Sequence, residues 1–152
     1  MQLLFVEDDA VIRGVITDCL QDHGFDVVES ATAEDAMQRM TGGLGPPLVI
    51  TDIDLGAGRS GIELADWVHE GWPELGVIFV TGRIDRLRGR VPDPREASLA
   101  KPFRLSELVE LVHRFVSPSA TTSRMSAAGD IQAALTSGQV VPAAPAGCLT
   151  DA

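Results

Sequence analysis

The residues able to do chemistry stand in four short stretches: Glu7, Asp8 and Asp9 in "VEDD", Asp52 and Asp54 in "ITDIDL", Thr81 in "VTG" and Lys101 in "AKPF". Each stretch follows an apolar run. A fold that aligned those runs would gather carboxylates, one hydroxyl and one ammonium at a single edge. Crowded carboxylates repel and raise one another's pKa unless a cation joins them. With oxygen donors alone and no His or Cys beside them, the ion they suit is magnesium, with manganese as a substitute; magnesium completes its shell with waters and a phosphate oxygen. An Asp beside such an ion, with a hydroxyl and an ammonium to hand, can receive a phosphoryl group, a reaction that asks mainly for positioning and charge neutralisation. Lys101 is the only lysine in the chain, and its compact ammonium suits a carboxylate or phosphoryl oxygen as a point charge. Helix capping would account for Asp9 in the acidic triplet. It does not account for Asp52, Thr81 and Lys101 at matching places further along.

The first 116 residues alternate short apolar runs with longer amphipathic segments, the pattern of an α/β domain with a parallel sheet. "QLLFVE", "FDVVES", "LVIT", "VIFVT" and "ASLA" read as strands. "AVIRGVITDCLQDHG" reads as a helix, with Val11, Ile12, Val15, Ile16, Cys19 and Leu20 at helical spacing and Gly24 closing it. Thr32 caps a second helix through Met40. In "GIELADWVHEGWP", Ile62, Leu64, Ala65 and Val68 bury one face before Pro73 ends it. "LSELVELVHRFV" is the last, with Leu105, Leu108, Leu111, Val112 and Phe115 on one side. "RIDRLRGRVPDP" reads poorly as a helix, because Gly89, Pro92 and Pro94 interrupt it. Strands one, three and four are apolar on both sides of the pleat, as strands covered on both faces must be. The sum is a doubly wound five-stranded parallel sheet flanked by about five helices, whose ligands bind beyond the carboxyl ends of the strands.

In combination the four motifs resemble the receiver domain of two-component response regulators, over essentially all of residues 1–116. The resemblance implies a flavodoxin-like receiver fold and a Mg2+ cofactor. It makes Asp52 the phosphoacceptor, taking its group from a phosphohistidine on a sensor histidine kinase or a histidine phosphotransfer protein. Asp8 becomes a direct metal ligand and Glu7 a water-mediated one, with Asp52 and the main-chain carbonyl of Asp54 completing the set. Thr81 resembles the hydroxyl that moves to bond the phosphoryl oxygen, and Lys101 the ammonium that reports it. Such a protein is a signalling domain that catalyses only its own phosphorylation and dephosphorylation. Two departures stand out. Ser98 lies three residues before Lys101, where the family often carries an aromatic switch, and the chain has no tyrosine. "DLGAGRSG" replaces the family's usual proline with a looser loop holding Gly56, Gly58 and Gly61.

The net charge of -10 works against direct nucleic-acid binding, which needs basic surface to release counterions. The opening "MQLLFVEDD" has no basic n-region and nothing near the roughly 20 apolar residues of a membrane span, so a cytoplasmic protein is expected. Cys19 reads as packing, and Cys148 shares no CxxC spacing with it. Trp67 and Trp72 read as helix packing, and His23, His69 and His113, near helix ends, as surface or dipole-compensating residues. Five of the eleven arginines lie between Arg83 and Arg95, either a solvated loop or a docking surface for an acidic partner. Residues 117–152 are rich in Ala, Ser, Thr, Gly and Pro and are expected to be a mostly disordered tail, with "DIQAALTSGQVV" the one helical pattern. No second domain is expected, so output falls to protein contact: a relay intermediate, a phosphate sink or an allosteric partner, with a homodimer left open. Two alternatives remain. One is a receiver-like module that works unphosphorylated. The other is a haloacid dehalogenase-type phosphatase with Asp52 and Asp54 as its DxD pair, against which the acidic triplet stands on the wrong side of that pair.

Overall fold

The computed structural model describes residues 1–116, and the expected tail at 117–152, with Cys148, lies outside them. The elements run β1 (Gln2–Val6), α1 (Ala10–Asp22), β2 (Asp26–Ser30), α2 (Ala33–Thr41), β3 (Leu48–Thr51), α3 (Gly61–Gly71), β4 (Gly76–Thr81), a 3-10 turn (Ile84–Leu87), β5 (Glu96–Ala100) and α4 (Leu105–Val116). All five strands are parallel, in the order β2-β1-β3-β4-β5. The chain therefore reverses direction across the sheet between β1 and β3, and a crevice opens there at the carboxyl ends.

Period-2 alternation sorts the strand side chains into two cores. Leu3, Phe5, Leu48, Ile50, Ile78 and Val80 meet α1 and α4 on one face. Leu4, Val6, Val49, Val77 and Phe79 meet α2 and α3 on the other. Burial on both sides leaves the strands no freedom of register, since a one-residue slip would exchange the two faces.

The helix ends follow their signals. Asp9 caps α1 by accepting from the Val11 and Ile12 amides at 2.9 and 3.1 Å. Gly24, at φ 90°, closes it: the Gly24 amide donates to Gln21 O and the Phe25 amide to Leu20 O, a Schellman pattern that needs a residue tolerant of the left-handed region. Thr32 caps α2 through the Asp35 amide, and Ser60 with Glu63 forms a capping box on α3.

The structure corrects three expectations. Val11 and Val15 are exposed, at 76% and 53%, because the face of α1 turned to the sheet carries Ile12, Ile16, Cys19 and Leu20 and the two valines fall on its flank. His69 is not a surface residue: its side chain is 12% exposed, with Nδ1 3.5 Å from Glu96 Oε1 and 3.9 Å from Asp93 Oδ2. Among the described residues there are four α-helices, not about five, since a single 3-10 turn stands between β4 and β5 and Gly89, at φ 81°, follows it.

That connection also accounts for the arginines. Arg83 pairs with Asp85, Arg86 with Asp54, Arg90 with Asp66 and Glu96, and Arg95 with Asp93. Only Arg88 of the five lacks an ion pair among the described residues. The expected basic patch is thus mostly neutralised in place.

Candidate functional site

β1 ends at Val6, and the next residue, Glu7, turns inward to 1% exposure. Its Oε1 accepts from the Asp9 amide at 3.2 Å and its Oε2 from Lys101 Nζ at 2.8 Å. Lys101 reaches in from the end of β5 and also donates to Asp52 Oδ2 at 3.0 Å. Asp52, 7% exposed, follows β3 directly; its Oδ1 accepts from the Ile53 amide at 2.6 Å and the Asp54 amide at 3.3 Å. Asp8 remains exposed, because the next residue has taken the capping role. Oxygens of Glu7, Asp8 and Asp52 all lie within 4.8 Å of one another. Thr81, fully buried at the end of β4, accepts from the Arg83 amide at 2.9 Å.

Burial pushes the Glu7 carboxyl up, against the opposing pull of the Lys101 ammonium and the Asp9 amide. For Lys101, burial works against the charge, but its bonds to Glu7 and Asp52 outweigh it and raise its pKa. Three carboxylates against one ammonium leave two negative charges uncompensated, the charge of one divalent cation. Neighbouring oxygens on an octahedral magnesium stand about 3 Å apart, so a cluster this wide suits an ion reached directly by some of these carboxylates and through a water by another. The oxygen-only donor set and its span fit that ion.

The loop after Asp52 is held by close packing. A Cβ at Gly61 would sit 1.9 Å from the Asp52 carbonyl oxygen, and the Gly61 amide donates to Ile53 O at 2.8 Å. The start of α3 therefore lies directly against the backbone of the central acid, and glycine is required there by contact with that carbonyl. Gly56, at φ 84°, lies in the same loop, where a Cβ would stand 3.9 Å from Asp8 Oδ2.

The sequence missed three supports. Arg13 donates from Nη1 to Glu7 O at 2.6 Å and from Nε to Glu29 at 3.1 Å, bracing the acidic turn from α1. An arginine near a helix N-terminus, where the dipole disfavours cations, was the available signal. Glu34 of α2 accepts from the Arg59 amide at 2.9 Å, which holds its carboxylate below the usual range. Arg86 reaches Asp54 Oδ1 at 2.9 Å, so the Asp54 carboxylate faces the 3-10 turn. Nothing in the spacing announces either of these last two contacts.

Comparison with known proteins identifies the family. Residues 3–113 match the family model described as the response regulator receiver domain. The chain is 31% identical over 119 residues to the response regulator receiver protein CpdR of Brucella abortus, covering 76% of this chain and 96% of that protein. It is 27% identical over 115 residues to the nitrogen assimilation regulatory protein NtrX of Azorhizobium caulinodans, covering 74% of this chain but only 25% of that relative's length. Among solved structures, the response regulator TrrA of Thermotoga maritima, in complex with Mg(2+)-BeF, superposes with a TM-score of 0.66 at 26% identity, over 76% of this chain and 98% of that one.

Proposed function

The chain belongs to the response regulator receiver family, and from that premise we propose that it accepts a phosphoryl group on Asp52 from a histidine kinase or histidine phosphotransfer protein, in a Mg2+-dependent step, and signals by protein contact. The carrying observation is Asp52 itself: nearly buried, adjoining two further carboxylates, with Lys101 on one oxygen and two amides on the other.

In the proposed step an Asp52 oxygen forms a bond to phosphorus while the bond from phosphorus to the donor's imidazole nitrogen breaks, and the electron pair leaves with the imidazole. The product is an acyl phosphate. Glu7, Asp8, Asp52 and the Asp54 carbonyl would hold the cation, which when bound neutralises charge on the phosphoryl oxygens. Lys101 is placed to turn from its carboxylate partners to a phosphoryl oxygen. The Thr81 hydroxyl, which now only accepts, keeps its proton to donate. Receiver domains are signalling domains, and this one would act as an enzyme only on itself.

CpdR supports output by the receiver alone, since the chain spans nearly all of that protein. Residues 1–116 would be the acceptor unit and 117–152 an appendage. Among the described residues no helix is long and apolar enough to cross a membrane, in keeping with a cytoplasmic site of action. Incubation with Mg2+ and a small acyl phosphate should add one phosphoryl group by intact-mass spectrometry, and Asp52→Asn should abolish it. An unmodified wild-type protein under these conditions would sink the proposal in favour of an interaction module that works unphosphorylated.

A further inference from the structure

Asp54 is treated differently from the other acids. Its amide lies 3.3 Å from Asp52 Oδ1, yet its carboxylate is turned to the rim, where Arg86 Nη1 holds Oδ1 at 2.9 Å. Arg86 is itself anchored. Its amide donates to Arg83 O at 2.9 Å, and the Arg83 amide donates to Thr81 Oγ1 at 2.9 Å. A cation carried by the segment after β4 is therefore fixed over a carboxylate two residues from the acceptor. Arg86 lines an open groove there with Ile53, Leu55, Gly58 and Glu63.

The pocket already holds two uncompensated negative charges. An unscreened Asp54 would add another, drawing in a divalent cation more strongly and repelling an anionic phosphodonor. We propose that Arg86 is a positioning residue that screens the Asp54 carboxylate, so that the pocket gives up some cation affinity and admits the phosphoryl dianion. This rests on the phosphoryl-acceptor reading. In the step it serves, with an acyl phosphate as donor, an Asp52 oxygen bonds phosphorus as the phosphorus–oxygen bond to the acyl group breaks and a carboxylate leaves with the electron pair.

The test uses the full chain with two readouts, Mg2+ affinity by calorimetry and the rate of adduct formation from acetyl phosphate by intact mass. At two unit charges across a solvent-exposed rim, Arg86→Ala should slow adduct formation about threefold and tighten Mg2+ binding about twofold, changes of opposite sign. Arg86→Lys, which keeps the charge, should restore both. In an Asp54→Asn background, where no carboxylate holds the guanidinium at the rim, adding Arg86→Ala should change both quantities less than it does in the wild type. At about 1 M salt, where the Debye length is about 3 Å, the effects should collapse. A bracing role alone would move both readouts in the same direction or leave both unmoved, and either result overturns the proposal. A wild-type chain that forms no adduct instead overturns the acceptor reading, while the Mg2+ arm still decides whether Arg86 screens Asp54.

Discussion

The acidic pocket and the connection from β4 to β5 are both dense in charge, and they resolve it in opposite ways. In the pocket, Glu7 and Asp8 after β1 meet Asp52 after β3, and Lys101 from the far edge of the sheet pairs with Glu7 and Asp52 at once. In the connection, four of five arginines have carboxylate partners of their own. Arg90 is the strongest case: it meets Glu96 through two nitrogens at 2.6 and 3.0 Å, meets Asp66 at 2.7 Å and lies over the Phe79 ring. Unbalanced charge keeps a site ready for an incoming ion. Balanced charge substitutes for packing where a helix is missing.

The largest effect expected on the pocket side comes from Gly61→Ala. A methyl group 1.9 Å from the Asp52 carbonyl must displace the start of α3 or the acceptor loop, at a cost of about 3 kcal/mol; urea unfolding measures it. A loss below about 1 kcal/mol would show that the loop yields.

Next comes Lys101→Met, which leaves Glu7 and Asp52 facing each other without their cation. Discounted for the lysine's 23% exposure, the loss at neutral pH is about 2 kcal/mol. Mg2+ should recover much of it in a thermal melt. Neutralising Arg90 or Arg95, whose partners lie away from the pocket, should not be rescued in this way, and a rescue there would erase the distinction between the two regions.

On the connection side, Asp93 is held down to about 2, chiefly by its bond to the Arg95 guanidinium. A depressed carboxylate contributes stability above its unfolded pKa near 4 and loses it as the pH falls through the folded value. Asp93→Asn should therefore cost about 1 kcal/mol at pH 7, after discounting for partial exposure. Wild type and variant should converge between about pH 4 and pH 2. Chemical denaturation at several pH values checks the sign, and a difference that grew on acidification would contradict it.

The smallest effect belongs to Arg88→Ala. With no carboxylate paired to it among the described residues, its removal should change stability by less than about 0.5 kcal/mol. A larger loss would mean that the connection holds itself together by more than its visible pairs.

Much of this molecule was legible in one dimension. Fully apolar runs such as "LVIT" require cover on both faces, helical spacing in "LSELVELVHRF" requires an amphipathic helix, and Thr32, Ser60 and Gly24 mark helix ends because their chemistry is local. The acids at the strand ends were legible for the same reason: each follows its run directly, and a parallel sheet must bring those ends to one edge. Long-range contacts between side chains obey no such period. Which flank of α1 would carry Val11 and Val15, how β5 draws His69 out of water, the reach of Arg13 to Glu7 O and of Arg86 to Asp54, and the approach of Gly61 to the Asp52 carbonyl depend on how elements pack in three dimensions. The sequence by itself determined the sheet, its order of elements and the inventory of the pocket, since these follow from local periodicity and chain connectivity. The tertiary structure alone decided which charges are spent on one another and which are left for a ligand, because ion pairing depends on distances of a few ångströms between groups that sequence spacing does not constrain.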